Sequence, residues 1–173
     1  MKMLVIFAHG KESGPWGSKI KHLAAIAEQR HAQVLSPDYS DLPDDPDARV
    51  ARLLALPLPR HDCLVLVGSS MGGYVSTVAS HHLKPDGLFL MAPAFYIHNF
   101  GTQDPRPSAK HTCVVFGWKD EVIPVAHGIR FAETYCADLH ILDADHRLNS
   151  VLDEVGALFD RFMRRISIGN ALS

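Results

Sequence analysis

VLVGSSMGGYVSTVASHH, residues 65–82, changes character in its middle. Residues 63–67 are β-branched and leucine-rich with no polar alternation, as in a strand buried on both faces of a parallel sheet. From Met71 onward the pattern is helical. Only Gly68, Ser69 and Ser70 lie between the two, so there is no room for a loop and one residue must turn a tight, strained corner. Ser70 occupies that corner. Residues 68–72 have the Gly-x-Ser-x-Gly form of a nucleophile elbow, with the required strand before and helix after. The glycines let strand and helix close around a serine at an unfavourable backbone angle, its hydroxyl raised above the sheet.

Working outward, short apolar runs recur at residues 4–8, 33–35, 63–67, 87–91, 112–116 and 139–142, most of them separated by helical stretches. Ile20, Leu23, Ala24 and Ala27 mark one amphipathic face. Leu148, Val151, Val155, Leu158, Phe162 and Ile166 mark another, at spacings of three and four. Such alternation predicts a parallel sheet with helices on both faces and right-handed crossovers, with function at the carboxyl ends of the strands. Residues 38–47, DYSDLPDDPD, are acidic and turn-rich and read as an exposed loop. One domain is expected over residues 1–166, followed by a frayed tail at 167–173.

The chain's 173 residues, 47% hydrophobic and 21% charged, fit one globular domain with its own core. A net charge of -2 with scattered lysines and arginines offers no basic field, which argues against a nucleic-acid partner. The N-terminal apolar run is too short for a membrane span and no small-residue cleavage site follows it, so it reads as the first strand of a soluble protein. Cys63, Cys113 and Cys136 are odd in number and widely spaced, indicating neither a disulfide framework nor a zinc site. A reducing cytoplasm is the expected setting, with no metal and no cofactor.

A serine hydroxyl is a poor nucleophile near neutral pH and needs a base within reach and a group to orient that base. After the fifth apolar run comes GWKDEVIP, residues 117–124, which puts Asp120 at a strand's carboxyl end. After the sixth comes DADH, residues 143–146, which puts His146 at the same edge. Asp143, Asp145 and Glu121 are also close to His146 or Asp120; the position of Asp120 one strand earlier favours it as the acid. The order Ser70, Asp120, His146 is the one described for α/β-hydrolases. Developing negative charge on a substrate oxygen needs two backbone donors. Met71 is expected to supply one, and the loop HGKESGP, residues 9–15, the other through Lys11. His81 and His82 at the end of the helix face different ways and read as solvated.

Together the motifs HGKESGP, GSSMGG, GWKDEVIP and DHRL resemble those of small, cap-less bacterial α/β-hydrolases of the serine-esterase type, over nearly the whole chain. The resemblance implies a reduced α/β-hydrolase fold of about six mainly parallel strands without a cap domain, lacking the two leading strands of the full fold. It implies Ser70 as nucleophile, His146 as base and Asp120 as its partner. DHRL departs from the pattern in lacking the glycine that often flanks the histidine, and Lys11 is charged where an apolar residue is common. The implied function is hydrolysis of small carboxylic esters through an acyl-enzyme. Alternatives are an acyl-thioesterase with the same triad, or a non-catalytic protein that keeps the fold for ligand or partner binding. Residues 92–111 are too few for a lid, and Phe95 and Tyr96, with Trp16 and Trp118 in neighbouring loops, are expected to form a shallow apolar substrate wall.

Overall fold

The computed structural model describes residues 1–171. Six strands form one parallel sheet in the order β2-β1-β3-β4-β5-β6. They are β1 (Met3–Ala8), β2 (Gln33–Leu35), β3 (Cys63–Ser69), β4 (Gly87–Met91), β5 (His111–Gly117) and β6 (Asp138–Leu142). Every residue of β1, β3 and β4 is buried, and period-two alternation explains why no polar face was needed. Met3, Val5 and Phe7 of β1 meet one helical layer, while Leu4, Ile6 and Ala8 meet the other.

The first layer is α1 (Ser18–Gln29) and α5 (Leu152–Ala171); the second is α2 (Pro46–Leu54), α3 (Met71–Leu83) and α4 (Val125–Tyr135). In α1 the face Ile20, Leu23, Ala24, Ala27 is buried, as its spacing predicts. The face predicted from Leu148 onward spans two elements instead of one. Leu148 is fully buried but left-handed, at φ 58, and a 3-10 turn at Asn149–Val151 precedes α5.

Two expectations from sequence are corrected here. The stretch 38–47 is not simply an exposed loop: Tyr39 is fully buried, and α2 starts at Pro46. Asp45 caps α2 by accepting a hydrogen bond from the Ala48 N–H at 2.8 Å, with Pro46 at the first helical position, so the same Asp and Pro that suggest a loop start a helix. The expected tail also begins inside a helix, because α5 continues from Ile166 to Ala171 and the Ser167 hydroxyl donates to the Met163 carbonyl at 2.9 Å. Residues 172–173 lie outside the described residues. Between β4 and β5, residues 92–110 form neither helix nor strand, so no cap domain interrupts the sheet.

The strand order reverses between β1 and β3, where connections leave in opposite directions and open a crevice at the carboxyl ends. The α3 N-terminus packs directly on that crevice. A Cβ on Gly72 would lie 1.9 Å from the Ala8 carbonyl oxygen, and one on Gly68 would lie 2.3 Å from the Gly72 carbonyl oxygen. Both obstacles are main chain, which no rotamer change can move. Gly72→Ala is therefore expected to cost on the order of 4 kcal/mol or more, lowering Tm by roughly 10 °C or more in a chain of this size. Gly14→Ala, with nothing within 4 Å of the added atom, is the control. Melting both variants by circular dichroism checks this, and equal midpoints would contradict the packing described.

Candidate active site

Ser70 turns between β3 and α3 at φ 54, ψ -117, a conformation that favours glycine in any setting not held from outside. Backbone hydrogen bonds hold it. The Ser70 N–H donates to the Met91 carbonyl at 2.9 Å, and its carbonyl accepts from the N–H groups of Gly73 and Ala94, both at 2.9 Å. The side chain is thereby aimed away from the sheet toward the loops that follow β5 and β6.

His146 meets it there. Its Nε2 lies 3.0 Å from Ser70 Oγ, and its Nδ1 lies 2.8 Å from Asp120 Oδ2. A carboxylate only accepts, so Nδ1 carries the proton, Nε2 is the acceptor, and the Ser70 hydroxyl donates. The Asp120 side chain is fully shielded from solvent, and Oδ1 accepts from the backbone N–H groups of Val122 at 2.9 Å and Ile123 at 2.8 Å. Burial works to raise the Asp120 pKa, but the hydrogen bonds from His146, Ile123 and Val122 outweigh it and the net shift is downward. The carboxylate thus stays ionised beside the ring.

The acids left open by sequence are engaged elsewhere. Asp143 pairs with Lys119 at 2.6 Å. Asp145 Oδ1 accepts from the N–H groups of Arg147 at 3.1 Å and Leu148 at 3.2 Å, forming the turn that presents His146. Glu121 is exposed. The loops of acid and base are also joined: the Trp118 N–H donates to the Leu142 carbonyl at 2.8 Å, and the Lys119 N–H to the Ala144 carbonyl at 3.0 Å.

The loop after β1 comes to the same point, since a Cβ on Gly10 would sit 3.5 Å from Ser70 Cβ. Among the described residues the backbone N–H groups of Lys11 and Met71 have no hydrogen-bond partner. The Lys11 side chain turns outward to pair with Asp44. His9, by contrast, is fully buried. Its Nε2 accepts from the Tyr39 N–H at 2.9 Å, which leaves the proton on Nδ1, donated to the Gly10 carbonyl at 2.7 Å. Burial lowers its pKa, so the ring is neutral.

The four rings expected as a wall divide. Trp16 and Trp118 are 46% and 59% exposed on the loops after β1 and β5. Phe95 is not available to a substrate: it is fully buried and stacked on Phe131 at 4.3 Å, a core position that its place just past a strand end concealed. Tyr96 is half-buried, with the Arg130 guanidinium 3.8 Å above its ring and His127 against its edge. Cavities of about 470 Å³, beside Thr112 and Tyr135, and about 730 Å³, between α1 and α5, both lie away from Ser70 and His146. His81 and His82 are exposed at the end of α3. Among the described residues no three His, Cys, Asp or Glu side chains gather as a metal site.

Sequence reasoning passed over Lys19 and Arg49, which no motif marks. Lys19 stands half-buried in the first turn of α1, where the helix dipole opposes a cation. Burial lowers its pKa to about 8, with the Asp145 and Asp120 carboxylates pulling it back up and Arg147 pushing it down. Its folded pKa is thus below its unfolded value near 10.5, and the unfolded chain binds more protons between the two. Stability should accordingly rise as pH climbs from about 8 toward 10.5, and Lys19→Met should remove that rise and be the more stable protein below it. Guanidinium unfolding of both proteins across this range tests it; parallel curves would show that Lys19 carries no such linkage.

The comparisons with known proteins bear on the family and the fold. The model of the "Alpha/beta hydrolase family" matches residues 5–167. Among curated proteins none matches the chain. A protein of the alpha/beta hydrolase superfamily from Xanthomonas campestris pv. campestris is 29% identical and superposes with a TM-score of 0.85, over 95% of this chain and 99% of its own. A lid-less a/b serine hydrolase from Xanthomonas campestris is 23% identical, with a TM-score of 0.70 over 94% and 81% of the two chains. The esterase Est1E from Butyrivibrio proteoclasticus, solved with ferulic acid, is 15% identical, with a TM-score of 0.79 over 95% and 89%, a likeness of fold. No helix among the described residues is long and apolar enough to cross a membrane.

Proposed function

The chain belongs to the alpha/beta hydrolase family, and from that premise we propose that it cleaves small carboxylic esters through an acyl-Ser70 intermediate. The observation that carries this reading is the relay from Asp120 through His146 to a serine held at positive φ, at 2.8 and 3.0 Å. In the first half-reaction Ser70 Oγ bonds to the ester carbonyl carbon while its proton passes to His146 Nε2. The carbonyl π electrons move onto oxygen, and the N–H groups of Met71 and Lys11 stabilise that charge. Collapse of the tetrahedral species breaks the bond to the alcohol oxygen, which takes the proton from His146. Water then repeats the sequence on the acyl-enzyme, with His146 as base, and releases the acid. Asp120 keeps the ring in the productive tautomer and stabilises the imidazolium. Acyl-thioesters would follow the same course.

Ser70→Ala should abolish turnover of a short acyl ester, by on the order of a millionfold in the chemical step, with the fold retained. Ser69→Ala should be mild. Labelling with a fluorophosphonate reads the same point: a wild-type protein that stays unlabelled and inactive would favour a recognition role over catalysis. Asp120→Asn should slow acylation greatly, on the order of 10⁴-fold as in comparable triads, whereas Asp143→Asn and Asp145→Asn should each be small. A larger effect from either of the last two would reassign the acid.

An open site limits how much substrate is desolvated. On the loops after β1 and β5 that lead to the relay, the large exposed apolar side chains among the described residues are Trp16, Trp118 and Val122, and Phe95 is sealed in the core. Each methylene buried contributes about 0.8 kcal/mol, so the gain with acyl length should stop once those side chains are covered. Short acyl esters should therefore be best, with kcat/KM falling beyond medium chains. Kinetics across an acyl-length series decide this; specificity that climbs as far as palmitoyl would require a tunnel.

A further inference from the structure

Arg49 is a second unusual residue, and it lies in α2, outside the motifs. Its side chain is fully buried, yet among the described residues no carboxylate lies within ion-pair distance of it. Its partners are main-chain carbonyls. Nε donates to the Leu42 carbonyl at 2.7 Å, and Nη1 donates to the His9 carbonyl at 3.0 Å and the Gly10 carbonyl at 3.4 Å. Nη2, also buried, has no hydrogen-bond partner, and the guanidinium lies 5.5 Å from the centre of the Tyr39 ring. A buried guanidinium left unpaired with any acid is unfavourable for stability alone, which asks for a role in something besides folding.

Its targets suggest that role. The Gly10 carbonyl and the Lys11 N–H belong to one planar trans peptide and point in opposite directions. Whatever grips that carbonyl therefore aims the N–H. Two donors grip it, Arg49 Nη1 and His9 Nδ1, and they do so from the buried side of a loop whose Gly10 stands against Ser70. Donation to the carbonyl also polarises the peptide and makes its N–H a stronger donor. The guanidinium charge adds attraction for an anion on the far side of that peptide, in surroundings where screening is weak.

Resting on the hydrolase reading above, we infer that Arg49 is the positioning residue of the oxyanion site: with His9 it fixes the Gly10–Lys11 peptide and biases it electrostatically toward a negatively charged tetrahedral oxygen. It touches no substrate atom. Its contribution belongs to the transition state and leaves ground-state binding alone, because the ester oxygen carries little charge until Ser70 attacks.

The test compares Arg49→Met and Arg49→Lys with wild type, using a short acyl ester for turnover and an alkyl trifluoromethyl ketone as the probe that forms an anionic tetrahedral adduct with Ser70. Losing one oxyanion donor outright costs roughly 10²–10³ in kcat, so its misalignment in Arg49→Met should lower kcat by roughly 10- to 100-fold. KM should change by less than about threefold, and affinity for the ketone should fall in step with kcat/KM. Arg49→Lys restores the charge without the fork and should recover part of both losses. Arg52→Gln removes the neighbouring half-buried arginine of the same helix, which pairs with Asp41, and should leave kcat unchanged; it controls for general loosening of α2. Should Arg49→Met not fold, Arg49→Lys is judged alone by the loss of kcat and ketone affinity at constant KM. Retention of kcat and ketone affinity within twofold in a folded variant overturns the inference, as does a rise in KM at constant kcat. A wild-type protein with no Ser70-dependent turnover overturns the hydrolase reading itself, and this inference with it, so the two failures are told apart.

Discussion

The contact between the backbone of Gly72 and the carbonyl end of β1 is the constraint from which the site's geometry follows. With no side chain between them, the first turn of α3 seats on Ala8 and His9 and Gly68 approaches Gly72 and Gly73. So short a path from β3 to α3 leaves Ser70 only a left-handed corner at φ 54. Such a corner costs on the order of 1–3 kcal/mol. The hydrogen bonds to Met91, Gly73 and Ala94 offset it, so that β4 and the segment after it help hold the serine in place. The same seating brings Gly10 beside Ser70. Ser70 and the candidate oxyanion loop are thus positioned by the same packing of α3 against the end of β1.

Charge in the site is separated by how each acid is held. Asp120 is shielded from water and given two backbone N–H donors besides His146, so its negative charge is spent on orienting one ring. Asp143 and Asp145 flank the same histidine in sequence but face a lysine and the turn's own amides. Three carboxylates near one imidazole would otherwise compete for it and blur its tautomer. The fold assigns one to the ring and disposes of the others locally. Positive charge follows a parallel logic, since Lys11 and Lys119 are paired at the surface while Arg49 is held beneath the β1 loop by carbonyl groups.

Much of this was legible in the sequence because it rests on local pattern. All six strands lie where the apolar runs do, and the chain order of Ser70, Asp120 and His146 already placed them at one sheet edge. What escaped depended on tertiary contacts. The Asp and Pro density at 38–47 reads as loop, and only the Asp45 cap in place reveals α2; Tyr39, the same stretch's aromatic, is buried by the folding of α2 over it. Phe95 follows a strand end as a pocket residue would, yet its partner Phe131 is thirty-six positions away in α4. Arg49 sits in an ordinary amphipathic pattern, and nothing short of the assembled loop shows that its donors meet the carbonyls of His9 and Gly10.

The segment between β4 and β5, where larger relatives of this fold type would place a cap, is tied down instead of free to close. Asp47 of α2 accepts from the Tyr74 hydroxyl at 2.7 Å and from the Gly101 N–H at 3.1 Å, and the Tyr74 oxygen in turn accepts from the Thr102 N–H at 2.9 Å. Gly101 lies so close to the Asp47 carboxylate that an added Cβ would fall 2.4 Å from Oδ2. Tyr74 is one helical turn past Ser70, so the tether fastens the segment to the same helix that carries the elbow. Closure over a substrate would have to break this network, and the segment has no helix of its own to offer in return. In the proposed reaction, water exclusion would therefore fall largely to the substrate itself, since Trp16 and Trp118 on the loops after β1 and β5 stand exposed. Under the proposed hydrolysis, a site built this way would gain its rate from donors fixed before the substrate arrives, and on that reading the anchoring of the β1 loop bears on chemistry more than on binding.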